Sequence, residues 1–118
     1  MQYNHYLCKD KESKMKDNTL NSIKKSLAQN LPKDGEAYLF GSRARGDARQ
    51  DSDWDILIIL NKAKLSVSDY DDITYPLVTL GWELNEEINP ILYSRTQWEQ
   101  SHITPFYHNV KEDAVRLL

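Results

Sequence analysis

Two aspartates one residue apart, Asp53 and Asp55, stand at the mouth of an uninterrupted apolar run, Ile56 to Leu60. Alternate side chains of an extended chain share a face, so these carboxylates point the same way with α-carbons roughly 7 Å apart, at about 3.3 Å per residue. Like charges at the edge of a buried strand repel each other and lose hydration, an arrangement that a cation offsets. Mg²⁺ suits such a pair because it takes one or two protein carboxylates and leaves its other positions to water and phosphate. Asp51 extends the alternation, but Ile56 stands where a calcium loop needs glycine and Lys62 where it needs glutamate, so a calcium loop is rejected.

Just upstream, Gly41-Ser42 follows a short β-prone run. Glycine lets the backbone turn sharply, and Ser42 can cap or begin a helix whose first N–H groups attract phosphate. Arg43 and Arg45 lie within one turn, with guanidinium forks that match phosphate oxygens. An ordinary capped turn with solvated arginines would leave the same local pattern. A nucleotide-binding P-loop has the spacing of Gly41 and Gly46, yet Asp47 and Ala48 replace its lysine and hydroxyl residue.

The elements that must position these groups can be read from periodicity. Leu20, Ile23, Leu27 and Leu31 recur at helical spacing until Pro32 and Gly35 end the pattern. EAYLF is a strand, and WDILIIL a second strand apolar enough to be buried on both faces. Ile73, Leu77 and Leu80 mark a further helix with Ser68 as its cap and Pro76 as a kink or true start. A third strand falls in EEINPILYS, where Pro90 indicates an edge or a bulge. Ser94 to Gln97 forms a capping box for a helix through Trp98. The tail forms a short helix or turn, with Phe106, Tyr107, Val110, Val115 and Leu117 packing back. These alternations give an α+β domain, a small mixed sheet flanked by helices.

With 118 residues, 40% of them hydrophobic, the chain fills a single core without a separate substrate domain. A net charge of −3 marks no general affinity for nucleic acid or anionic membrane, and the scattered lysines up to Lys25 read as a solvated face. No apolar stretch approaches a membrane span and the first residues lack a signal-peptide layout, so a cytoplasmic protein is expected. Cys8 has no disulfide partner, and His5, His102 and His108 have no zinc spacing.

Gly41-Ser42, ten intervening residues and Asp53-x-Asp55 resemble the G-S-x10-D-x-D signature of the DNA polymerase β-like nucleotidyltransferase superfamily. The surrounding LFGSRARGDARQDSDWDILIIL is similar in particular to the minimal nucleotidyltransferase (MNT) branch, over most of the chain from Asn18 onward. The resemblance implies a nucleotidyltransferase domain over 18–118 behind a flexible extension over 1–17. It further implies ATP or another nucleoside triphosphate held by Gly41, Ser42, Arg43 and Arg45, and two Mg²⁺ ions on Asp53 and Asp55. Catalysis would consist of a hydroxyl attacking the α-phosphorus with release of pyrophosphate. Active members add a third carboxylate from a later strand. Here Glu87 and Asn89 share a face, so Glu87 is the candidate third catalytic acid, and Asn89 in that slot would weaken the metal site. The branch also implies a HEPN-type partner protein, with this chain as antitoxin and a partner tyrosine as one acceptor of AMP. Two readings follow: an Mg²⁺-dependent nucleotidyltransferase, or an inactive module that binds nucleotide and partner. The aromatics Trp98, Phe106 and Tyr107 fit a partner surface less well than a small core.

Overall fold

The computed structural model describes residues 18–118. The expected extension over 1–17, with His5 and Cys8, lies outside the described residues. Residues 18–30 form helix α1, whose Ile23 and Leu27 are buried as its periodicity requires. There follow β1 (Glu36–Phe40), a single turn α2 (Ser42–Arg45) and β2 (Trp54–Leu60). A helical segment runs through α3 (Val67–Asp69), a π-helical turn (Tyr70–Thr74) and α4 (Tyr75–Leu84). The chain continues with β3 (Ile88–Ser94), α5 (Arg95–Gln100), a 3₁₀ turn (Ser101–Ile103), α6 (Pro105–Asp113) and β4 (Val115–Arg116).

The strands make one mixed sheet in the order β3-β2-β1-β4. β2 pairs antiparallel with β1 and parallel with β3, and β1 pairs antiparallel with β4. Central position explains the unbroken apolar run of β2. Ile56, Ile58 and Leu60 pack with Ile23, Leu27, Ile73 and Leu77 on one face, while Leu57 and Ile59 pack with Trp98 and Val110 on the other. Each such buried side chain contributes roughly 1.5–3 kcal/mol of apolar burial. β3 lies at the sheet edge, where the missing N–H of Pro90 is tolerated.

Two local expectations, the Ser68 cap and the packing of Val115, are corrected. Ser66 rather than Ser68 caps α3, because the Asp69 carboxylate returns to the Ser66 N–H at 2.7 Å and completes a capping box. Pro76 marks the start of α4, the second of its two expected roles. It sits in the first turn of α4 just after the π-turn, where a helix tolerates a residue without a donor. Val115 does not pack back: it is 48% exposed in β4, a strand set by the pairing of Leu39 with Val115, while Leu117 does join the core. The Ser94–Gln97 capping box is present, with the Gln97 N–H donating to Ser94 Oγ at 3.1 Å. Trp98 is buried, and Phe106 and Tyr107 pack against it, so these aromatics serve a core.

Candidate active site

β1 ends at Phe40, and Gly41 takes φ 78° and ψ −157°, a region open essentially only to glycine. A Cβ at Gly41 would stand 2.5 Å from Asp55 Oδ2. Glycine thus lets the backbone of the turn lie directly against the carboxylate. α2 then starts at once: the N–H groups of Ala44 and Arg45 each donate to the Gly41 carbonyl at 3.1 Å. Ser42 is the first residue of this turn and Gly41 its cap, without a side-chain capping bond. Gly46, at φ 83°, closes it by donating to the Ser42 carbonyl at 3.0 Å.

Register brings the second strand's acid to the same place. Asp55 pairs with Phe40 on one side and with Asn89 on the other, so the end of β1, the carboxylate and the amide form one row across three strands. Asn89 Nδ2 donates to Asp55 Oδ1 at 3.3 Å. Burial pushes the Asp55 carboxyl above its ordinary value; the Asn89 amide pulls it back, the charge of Asp53 pushes it up again, and Arg45 pulls it down. The charge of Asp53, one residue ahead of β2, is thus felt at the Asp55 carboxyl.

The remaining expected residues divide. Arg45 acts on Asp55 through space, but its guanidinium is engaged by Asp113 on α6 at 3.2 Å and by Asp47 at 3.3 Å, which hold its pKa above the usual arginine value. Arg43 is engaged within the protein. Its side chain is 4% exposed, lies 4.3 Å over the Trp54 ring, and donates to the Ser52 carbonyl at 2.8 Å and the Gln50 carbonyl at 3.1 Å, with Glu86 at 3.9 Å. It braces the loop that delivers Asp53. Glu87 precedes β3, its backbone carbonyl accepts from the Trp54 N–H at 2.8 Å, and the residue lines a cleft at the sheet edge. Asn89, not Glu87, is the residue whose side chain reaches Asp55.

Among the described residues no group of three or more His, Cys, Asp or Glu side chains forms a metal cage. The donor set at hand is two carboxylates and an amide. All offer hard oxygens, and the burial and the neighbouring Asp53 charge that raise Asp55 are of the kind a divalent cation offsets, so the residues fit Mg²⁺. The groups that sequence left unremarked are Trp54 and Glu86 as seats for Arg43, and Asp113 as the seat for Arg45. No local pattern signals these, because each pairing joins segments distant in the chain.

The family described as the nucleotidyltransferase domain matches residues 20–113. The chain belongs to that family. That family agrees with the polymerase β-like superfamily expected from the motif. No curated protein matches the chain. Among solved structures, a toxin–antitoxin with AMP-PNP superposes with a TM-score of 0.59 and 24% identity, over 84% of this chain and 72% of that one. A mutant toxin–antitoxin MntA-HpeT gives a TM-score of 0.59 and 22% identity over 84% and 72%. A second MntA-HpeT mutant gives 0.56 and 25% over 83% and 70%. This nucleotidyltransferase domain therefore shares its α+β fold with toxin–antitoxin proteins of the MNT branch. No helix among its described residues is long and apolar enough to cross a membrane.

Proposed function

We propose that this nucleotidyltransferase-family protein is an Mg²⁺-dependent enzyme that moves a nucleoside monophosphate, AMP from ATP in the simplest case, onto a hydroxyl of a partner protein. The observation that carries this reading is the meeting of the Gly41 backbone with the Asp55 carboxylate, beside Asp53. A phosphate-accepting turn and a cation-accepting pair of acids thereby share one location.

Asp53 and Asp55 would hold Mg²⁺, with the Asn89 side chain beside them. When bound, the ion supplies charge to the phosphates and lowers the cost of forming the nucleophile. The Gly41–Ser42 turn holds the triphosphate, and Arg45, the last residue of α2, adds positive potential. Arg43 fixes the loop ahead of Asp53 and does not contact phosphate. The reaction forms a bond from the acceptor oxygen to the α-phosphorus and breaks the α–β phosphoanhydride bond. Pyrophosphate leaves, and the hydroxyl proton is released to water.

The partner reading is supported by the toxin–antitoxin neighbours, one of them solved with AMP-PNP. In that setting the chain is the antitoxin, and its acceptor is a tyrosine on a HEPN-type toxin. A second reading, a module that binds nucleotide and partner without turnover, is favoured by the amide of Asn89 beside Asp55, where active members carry a third acid.

Incubation with α-labelled ATP, Mg²⁺ and the HEPN-type product of a neighbouring gene tests both. The first reading expects label on the partner, lost with EDTA and in Asp53→Asn. Transfer that persists unchanged in Asp53→Asn would refute the assignment of the acids. Stable partner binding with no transfer by the wild type favours the second reading.

A further inference from the structure

Helix α4 carries aromatic surface that nothing in the described chain covers. Trp82 is 69% exposed and Tyr75, 58% exposed, meets its ring edge-on at 6.5 Å. The other two tryptophans, Trp54 and Trp98, are buried. Beside Trp82 opens a cleft of about 1120 Å³ with Val78, Leu84 and Ile88 as its apolar part. Asp51, Glu86 and Glu87 stand around it against the single base Arg49. Neither Asp53 nor Asp55 lines it, yet it begins at the loop that leads into Asp53.

The chemistry of the rim selects the occupant. Arg43 offsets Glu86, and the remaining Asp51 and Glu87 still outnumber Arg49, so the rim disfavours phosphates and this is no nucleotide subsite. A two-fold contact with a second copy would set the same acids against themselves. An apolar side chain flanked by lysine or arginine satisfies both the tryptophan and the rim.

We propose that this cleft docks a basic, apolar-anchored polypeptide segment of the partner protein and so brings the acceptor hydroxyl to Asp53 and Asp55. The second half of that statement rests on the transferase reading; the docking does not. Arg43 ties the two walls together, since it bonds the Gln50 carbonyl on one side and faces Glu86 on the other.

The test uses the full chain and two fluorescein-labelled peptides with one Leu pattern, one interspersed with Lys and the other with Glu, read by anisotropy. The Lys peptide should bind saturably and the Glu peptide should not. Trp82→Ala and Glu87→Lys should each weaken the Lys peptide at least tenfold, whereas Glu112→Lys, on the exposed side of α6, should leave it unchanged. Equal binding by wild type and Trp82→Ala, or equal weakening by Glu112→Lys, overturns the docking site. So does a wild-type dimer that Trp82→Ala dissociates. A Lys peptide bearing a tyrosine separates the two halves. Docking without label transfer, while the wild type modifies its protein partner, removes the acceptor assignment and keeps the cleft as a docking site. Normal Mg²⁺-ATP binding by Trp82→Ala distinguishes a docking defect from loss of the nucleotide site.

Discussion

Asn89 Nδ2 donates to Asp55 Oδ1 at 3.3 Å from the neighbouring parallel strand, and it is the one hydrogen-bonding side chain found on that carboxylate among the described residues. An amide there supports the charge of Asp55 without adding to it. Asn89→Asp exchanges the donor for a third anion, which removes a stabilising bond and pushes the Asp55 carboxyl further up. A site of three carboxylates should bind Mg²⁺ about tenfold more tightly at neutral pH, in line with the dependence of affinity on ligand charge. Calorimetric Mg²⁺ titration of wild type and variant checks this. Unchanged affinity would mean that Asn89 stands outside the metal's reach.

The two glycines of the turn predict opposite phenotypes. Gly41→Ala must hold a side chain at φ 78° and place its Cβ 2.5 Å from the Asp55 carboxylate, so it should cost ~1–3 kcal/mol and displace the metal-binding acid. Gly46→Ala also suffers positive φ, but nothing lies within 4 Å of its Cβ. It should cost ~1–2 kcal/mol and leave Mg²⁺-nucleotide binding intact. Urea denaturation and nucleotide titration of both variants separate strain from site damage.

What the sequence made legible was what neighbours in the chain determine together. Gly41, Ser42, Asp53 and Asp55 lie at fixed spacing on two adjacent strand ends, and the continuous apolar run of β2 demanded a central strand. Pro90 marked the edge because it has no donor to give. The choice between Glu87 and Asn89 could not be read in this way. Alternation puts both on one face, and only the register of β3 on β2 decides which one meets Asp55. The direction of Arg43 was equally hidden, since its platform Trp54 and its carboxylate Glu86 reach it through the tertiary fold. The strand β4 is too short for any periodic signal.

Arg43 should behave as a brace. Arg43→Ala leaves the Gln50 and Ser52 carbonyls and the Glu86 carboxylate without their cation, and should cost roughly 2–4 kcal/mol. Arg43→Lys keeps the charge but loses the planar fork, so it should recover less than half of that loss. In both variants amide exchange should accelerate through residues 47–53 and Mg²⁺ affinity should fall. A residue that gripped phosphate would instead weaken nucleotide binding while leaving loop exchange unchanged.

Two aspartates should pull the pH dependence of stability in opposite directions. Asp55 is raised above the ordinary 3.8, chiefly by burial, so between 3.8 and its folded value the native state binds more protons than the unfolded chain. Stability contributed by this group is therefore present at low pH and lost as pH rises through that window. Asp69 is lowered by Lys62 and by the Ser66 N–H, so its contribution is present above 3.8 and lost as pH falls toward its folded value. Asp55→Asn should consequently stabilise the protein at pH 7 relative to wild type while abolishing Mg²⁺ binding, and the advantage should shrink on acidification. Asp69→Asn should cost about 1 kcal/mol at pH 7 through loss of its cap and ion pair, with the deficit also shrinking in acid. Urea denaturation of the three proteins from pH 3 to pH 7 reads both signs. An Asp55→Asn variant less stable than wild type at pH 7 would show that its carboxylate is stabilised, not strained, by the groups around it.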